Sequence, residues 1–437
     1  MGKLNIPEYS VLVDQLRVGV FVRIDGFSWF NHPFLFRSFK IKNNDQIQTL
    51  KELGVARVIC IPEKSDVLPT KAEITAEKQP QSVPPKKDPA DADSASNRLW
   101  QIKKEKFERL KKKRQSIARC EKAYASSLNQ ASRVMKSIAG GNVNDIPQIV
   151  SFISEMSELF LEDKDSTLHL MTLSATEERV YYHSLNVAVL SMMLGKETGF
   201  DREQMEALGI GALFHDIGKS RIEKKILLKK SPLTKPEMTL LRMHPKLGVE
   251  ILAKAKESLP RAVFEIIYQH HEFCDGKGYP AGLGASQINH LAKAITIVDT
   301  YDNYCNRADP KDSLTPYQAL SIMFSKQKHL FDASLLATFV RCLGVFPPGS
   351  IVALNNGAIG MVVSVNPQDA LHPSVLVYDT EIPKEEAVII DLKEEPELKV
   401  EKSVRPAHLP EEIYEYLNPR TRITYYVESG KDTKVKS

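Results

Sequence analysis

The chain has 437 residues, 42% hydrophobic and 26% charged, enough apolar material for a sizeable core and a length that suggests roughly two to four domains. A formal charge of +4 is too small to argue for nucleic-acid binding by itself. The five cysteines are scattered without a CxxC pair, MGKLNIPEYS lacks a signal-peptide layout, and no apolar run approaches about 18 residues, so the expectation is a cytoplasmic protein with reduced thiols and no membrane span. Gly2 is not followed by the Ser or Thr of a myristoylation signal.

Residues 1–65 read as a small α+β regulatory module. VGVFVRI (18–24) is strand-like, DQIQTLKELG (45–54) has helical spacing with Gly54 as a stop, and VARVICI (55–61) has the apolar density of a buried strand. Residues 66–97 change character. QPQSVPPKKDPADADSAS holds too little apolar surface to offset the entropy of ordering, which predicts a flexible linker.

Residues 98–142 read as a basic connecting helix, strongest between Arg98 and about Ala139. KKEKFERLKKKRQSIAR is dense in Lys and Arg, while Phe107, Leu110, Ile117 and Leu128 mark a narrow apolar stripe. The pattern fits a solvated signalling helix with a homodimer seam better than a basic surface for nucleic acid or acidic lipid, because aromatic interleaving and reading motifs are missing.

Helices continue over 143–345. Ser174 with Glu177, Asp201 with Gln204 and Thr234 with Glu237 fit capping boxes, and Gly199 and Gly218 suit helix stops. Residues 346–437 predict a small β module and a charged tail, with Asn356-Gly357 as a hairpin signal. The predicted fold class is therefore mainly α, with a small α+β module before the helical domain and a β-rich module after it.

The chemistry lies in the histidines between His183 and His271. His183 sits in RVYYHSLNVAVL, His215-Asp216 closes a helix in GALFHDIGK, His244 lies in RMHPKLG, and His270-His271 ends an apolar helix. Singly, each histidine is ordinary for a hydrogen-bonded core residue. Asp299 is not ordinary, because it interrupts the apolar run ITIVDTY, where an unpaired buried carboxylate costs several kcal/mol and a cation is the simplest compensation. Five imidazoles and two carboxylates exceed the needs of one tetrahedral ion and suit a pair. Two cations about 3.5–4 Å apart neutralise the charge developing on a phosphodiester and activate a hydroxide near neutral pH. Imidazole and carboxylate donors without thiolate suit Fe or Mn. Lys219, one turn beyond Asp216, has the reach to touch a phosphoryl oxygen or the nucleophile.

HDIGK, the upstream YYHS, the intervening HP, HHE followed by DGKGYP, and the later DTYD together resemble the HD-GYP family, a branch of the HD metal-dependent phosphohydrolases, over roughly 145–345. QLRVGVFV and SWFNHPFLF resemble the small module that precedes this domain in some members. The resemblance implies an HD-type helical bundle that uses two divalent ions to hydrolyse the bacterial second messenger cyclic di-GMP to pGpG or GMP. It implies metal ligation by His183, His215, Asp216, His244, His270, His271 and Asp299. Asp216 would bridge, His183, His215 and Asp299 would complete one metal, and His244, His270 and His271 the other. Lys219 matches the family's lysine beside the metals, and Gly278, Tyr279 and Pro280 match the named loop, which shapes the site or docks diguanylate cyclase domains.

Some positions depart from the family pattern. Arg179 stands where members with a third metal carry a glutamate, so two ions are expected. Phe273 and Cys274 replace the usual arginine and aromatic after HHE, and Arg307 and Lys311, the candidates for holding substrate phosphates, fall off the usual register. Three functions follow: a cyclic di-GMP phosphodiesterase, a non-enzymatic receptor or adaptor for the nucleotide or a cyclase, and a hydrolase of another cyclic dinucleotide.

Overall fold

The computed structural model describes residues 8–25, 32–34, 38–70, 95–142, 145–171, 179–229, 231–255, 257–307, 312–366, 369–380, 382–384 and 387–417. The Ser174–Glu177 box, most of the expected linker, Lys311 and the last part of the tail lie outside these residues, as do the side chains of Phe107, Leu110 and Arg179. The chain divides into two units, residues 1–112 with 379–389 and residues 113–378 with 390–437.

In the first unit, Tyr9–Leu12 (β1), Phe21–Arg23 (β2), Ser38–Lys40 (β3) and Arg57–Cys60 (β4) form an antiparallel sheet in the order β1-β4-β2-β3. Helix Asn44–Glu52 (α1) is capped by Asn43, which accepts from the Gln46 amide. Val58 and Cys60 are buried while Arg57 and Ile59, which alternate with them, are only half-buried, the period-two pattern of a sheet with one face on a core. The strand expected over 18–24 shortens to β2 because the chain turns at Gly19 (φ 97°). Asp66 and Thr70 donate backbone bonds to Gly19 and Gln15, so residues 66–70 are tied to this unit rather than opening the linker.

The second unit is helical. Its elements are the continuation of Ala95–Ala139 (α2), then Ile146–Glu162 (α3), Lys164–Met171 (α4), Arg179–Thr198 (α5), Arg202–Phe214 (α6), Lys224–Leu227 (α7), Lys235–Leu241 (α8), His244–Leu252 (α9), Arg261–Gln269 (α10), His290–Cys305 (α11), Pro316–Ser325 (α12) and Ala333–Leu343 (α13). Reciprocal capping boxes open α6 (Asp201 with Gln204) and α8 (Thr234 with Glu237). Helices α5, α6 and α11 form the centre: Leu185–Leu194, Ala207–Phe214 and Leu291–Val298 are almost continuously buried. A helix apolar all round belongs in a core, and His183, His215 and Asp299 of the site border these buried runs.

The part of α2 expected to form a dimer seam packs within the chain over its C-terminal half. Ile117 is 1% exposed, and Cys120, Tyr124, Leu128, Ala131, Val134 and Ile138 belong to the same core as α5 and α6. Of the four stripe residues, the two whose side chains are described, Ile117 and Leu128, are buried within the chain.

After α13, Ile351–Leu354 (β5), Ile359–Ser364 (β6), Ser374–Val377 (β7), Val388–Asp391 (β8) and Val400–Val404 (β9) form a sheet in the order β8-β7-β6-β5-β9, with Asn356-Gly357 turning β5 into antiparallel β6. The five cysteines are unpaired. No helix among the described residues is long and apolar enough to cross a membrane.

Candidate metal centre

Five of the seven residues sit where a helix ends or begins. His215 caps the end of α6 and Asp216 follows it, His244 begins α9, and His270 caps the end of α10 with His271 next. His183 projects from α5 and Asp299 from α11. The turn after Asp216 presses onto the start of α9 at Gly218, where a Cβ would lie 2.0 Å from the His244 carbonyl oxygen. Gly218 is not a helix stop. It lies in a 3-10 turn (Ile217–Arg221), and close backbone approach is what requires glycine there.

The side chains gather into two adjoining groups, one of His183, His215 and Asp299, the other of Asp216, His244, His270 and His271, each with donor atoms within 4.8 Å of one another. Asp216 faces both. Its Oδ2 is 3.7 Å from His183 Nε2 and 3.6 Å from His215 Nε2, and its Oδ1 is 3.2 Å from His244 Nε2 and 3.8 Å from His270 Nε2. Asp299 also reaches across: Oδ1 lies 3.1 Å from His183 Nε2 and Oδ2 lies 3.8 Å from His271 Nδ1.

Hydrogen bonds behind the rings choose which nitrogen points inward. His215, His244 and His270 bond through Nδ1 to the carbonyl oxygens of Ala212, Leu241 and Ile267 at 2.7–2.8 Å, and His183 Nδ1 meets Asp302 Oδ2 at 2.7 Å. A carbonyl can only accept, so those Nδ1 atoms carry the proton and the Nε2 lone pairs face the carboxylates. Lone pairs opposed to carboxylate oxygens repel unless a cation lies between them. Asp216 Oδ1 is buried without a hydrogen-bond partner, which is what a metal-facing oxygen looks like. The donor set and the orphaned oxygen fit divalent ions.

Charges follow the same layout. Burial opposes ionisation of Asp216, but the Lys219 ammonium with His215 and His244 holds its carboxyl well below the usual range; His183 and His215 do the same for Asp299 against its burial. Burial would lower His183, but Asp299 and Asp302 outweigh it and push it up to about 10. Burial and the neighbouring imidazoles lower His270 well below its ordinary value, and burial foremost takes His271 down to about 3.

Lys219, partly exposed, donates Nζ to Asp216 Oδ2. The Gly278-Tyr279-Pro280 loop is built directly onto the ligand segment. Gly278 leaves no room for a side chain, since a Cβ would lie 2.5 Å from the His271 carbonyl oxygen, and Tyr279 stacks on His271 with centroids 4.6 Å apart. The Tyr279–Pro280 peptide is cis. Among the described residues, no contact brings Arg307 to the cluster. It is exposed past the end of α11, with its guanidinium 5.7 Å from the Tyr304 ring. Phe273, where the family pattern has arginine, is half-buried against the core and edge-on to Phe331.

Three residues escaped the sequence reading. Asp302 repeats the carboxylate of Asp299 three residues on, the same-face spacing of a helix, and that spacing was a usable signal. Glu272 is 1% exposed and accepts from the amides of Ala281, Gly282 and Leu283 at 2.6, 3.1 and 2.9 Å, clamping the loop. Arg242 lies over Tyr279 at 5.2 Å, placing a cation at the outer end of a stack that begins at His271. No periodicity in the sequence marks Arg242.

Comparison with known proteins shows what the chain is similar to. Residues 165–335 match the HD domain, residues 351–412 a KOW domain associated with the HD domain, and residues 9–149 a domain of unknown function. A cyclic di-GMP phosphodiesterase of Pseudomonas aeruginosa is 30% identical over 369 residues, covering 84% of each chain. The cyclic di-GMP phosphodiesterase response regulator RpfG of Xanthomonas campestris is 29% identical over 149 residues, 34% of this chain and 39% of that one. A solved HDG"Y"P protein from Bdellovibrio bacteriovorus aligns with 16% identity and a TM-score of 0.44, covering 76% of this chain and 98% of its own.

Proposed function

Because the chain belongs to the HD-GYP family of HD-domain phosphohydrolases, we propose that its seven-residue cluster holds two divalent ions, Fe or Mn, and that the protein hydrolyses cyclic di-GMP to pGpG or GMP. The observation that carries this reading is Asp216, whose two oxygens face two separate imidazole groups, one of them buried and without a hydrogen-bond partner. Ions held there supply Lewis acidity toward a phosphoryl oxygen and an attacking water.

The protein groups do the rest. His215, His244 and His270 are locked by their backbone acceptors with Nε2 inward, so the site is preorganised before substrate arrives. Lys219 holds the Asp216 carboxylate ionised and presents a partly exposed ammonium to a phosphoryl oxygen. Arg242, held over Tyr279 at the outer end of the stack that begins at His271, offers a cation beside the ligands for the phosphate that is not being cut.

The test is anaerobic reconstitution with Fe(II) or Mn(II) followed by chromatography of the products from cyclic di-GMP. The expected result is linear dinucleotide or mononucleotide. Tight nucleotide binding by the metal-loaded protein without product would replace the enzyme with a receptor, and a panel of cyclic dinucleotides decides among purines.

A further inference from the structure

A buried hydrogen-bonded chain runs from helix α2 to the metal centre. The Tyr124 hydroxyl, 6% exposed, donates to Asn186 Oδ1 at 2.6 Å; Asn186 Nδ2 donates to Asp302 Oδ1 at 3.0 Å; and Asp302 Oδ2 meets His183 Nδ1 at 2.7 Å. Asn306 adds a further donor to Asp302 Oδ1 at 2.8 Å. Asn186 and Asp302 are each at most 2% exposed, so water does not substitute for a missing partner.

We propose that Tyr124 is a positioning residue of the metal centre: acting through Asn186 and Asp302, it fixes the orientation and tautomer of His183. The proposal rests on the reading of the seven-residue cluster as a metal site. Every bond in the chain has one sensible direction. An ionised carboxylate only accepts, so Asp302 takes Nδ1–H from His183 and N–H from Asn186. Asn186 must then turn its oxygen away from Asp302, and the Tyr124 hydroxyl is the donor that meets it. Without that hydroxyl the Asn186 oxygen is left buried and unmatched, and the amide relaxes by moving away from Asp302. His183 then loses the constraint that aims Nε2 at Asp299 and Asp216. His215, His244 and His270 use main-chain acceptors within their own helical turns, so His183 alone among these four depends on side chains from other elements. Helix α2 thus supplies part of the centre's support, though it contributes no ligand.

The experiment uses the full chain, stripped of metal and titrated anaerobically with Co(II), read by calorimetry and by Co(II) absorption bands. Two ions are expected to bind the parent protein. Tyr124→Phe should weaken one of the two by about threefold to tenfold, the worth of one hydrogen bond, with altered bands. Asp302→Asn should weaken the same ion by about tenfold to a hundredfold. Superimposable titrations and spectra for Tyr124→Phe and the parent overturn the proposal while leaving the metal site intact. Equal weakening of both ions, together with a lower melting temperature of the metal-free variant, also overturns it, since Tyr124 would then be a general stabiliser. A parent protein that binds no Co(II) removes the metal reading itself, and this proposal with it.

Discussion

Replacing Glu272 by glutamine tests whether a single buried carboxylate organises the Gly-Tyr-Pro loop. Oε1 accepts from two backbone amides, Ala281 and Gly282, and Oε2 from a third, Leu283. Glutamine keeps one carbonyl oxygen for two of these bonds, weakened because the acceptor is no longer charged. Its amide nitrogen must face the remaining N–H, donor against donor. Hydrogen bonds to charged groups contribute about 1.5–3 kcal/mol each, and an unmatched buried donor costs about 1–3 kcal/mol. Ala281 and Gly282 are exposed, so water recovers part of the loss there, and the net cost is about 2–4 kcal/mol of loop stability.

Amide hydrogen exchange reads this directly. Protection at Leu283 should fall by roughly 30-fold to 1,000-fold, tenfold for each 1.4 kcal/mol. Tyr279, which stacks on His271 and whose amide donates to the His271 carbonyl, should lose protection as well. Unchanged exchange at both amides would refute the clamp, whatever happened to activity.

Asp216→Ala removes the carboxylate that faces both groups, and metal analysis should fall to one ion or none; full occupancy would remove its bridging role. Arg242→Ala should raise KM for the cyclic dinucleotide by about tenfold with kcat little changed, because a charged contact made equally in ground and transition states is lost; an unchanged KM excludes Arg242 from substrate binding. Leu128→Asp should unfold the helical unit, seen as loss of the cooperative melting transition, since Leu128 is 4% exposed in its core; a folded protein of smaller mass would contradict this and point to a dimer seam. Asp163 caps α4 and bonds Ser116 and the Ser166 amide; burial works to raise its pKa, but these bonds and Lys113 hold it below 3.8. A depressed carboxyl stabilises above its unfolded pKa and loses that contribution as pH falls through the folded value, so the melting-temperature gap between parent and Asp163→Ala should be constant near neutrality and close below about pH 4; a gap that widens toward acid contradicts this.

Much of the fold was legible along the chain because local signals and burial agree there. The boxes at Asp201 and Thr234, the Asn356-Gly357 turn and the long apolar helices are statements about neighbouring residues. The seven site residues were legible as a set for a related reason: paired His-Asp and His-His at helix ends, and a carboxylate inside an apolar helix, are chemically improbable without a shared purpose. Tertiary structure decided what those signals could not contain. Whether the stripe on α2 seals a dimer or the chain's own core depends on which groove lies opposite it, and Ile117 and Leu128 turn inward. Gly218 read as a helix stop because glycine serves both ends and close approaches, and only the His244 carbonyl beside it separates the two. The supports of the site, Glu272 under the loop, Arg242 over Tyr279, and Tyr124, Asn186 and Asp302 behind His183, join residues up to 119 positions apart. Hydrogen bonds of that span leave no periodicity in a sequence, because the geometry that makes them exists only after the helices have packed.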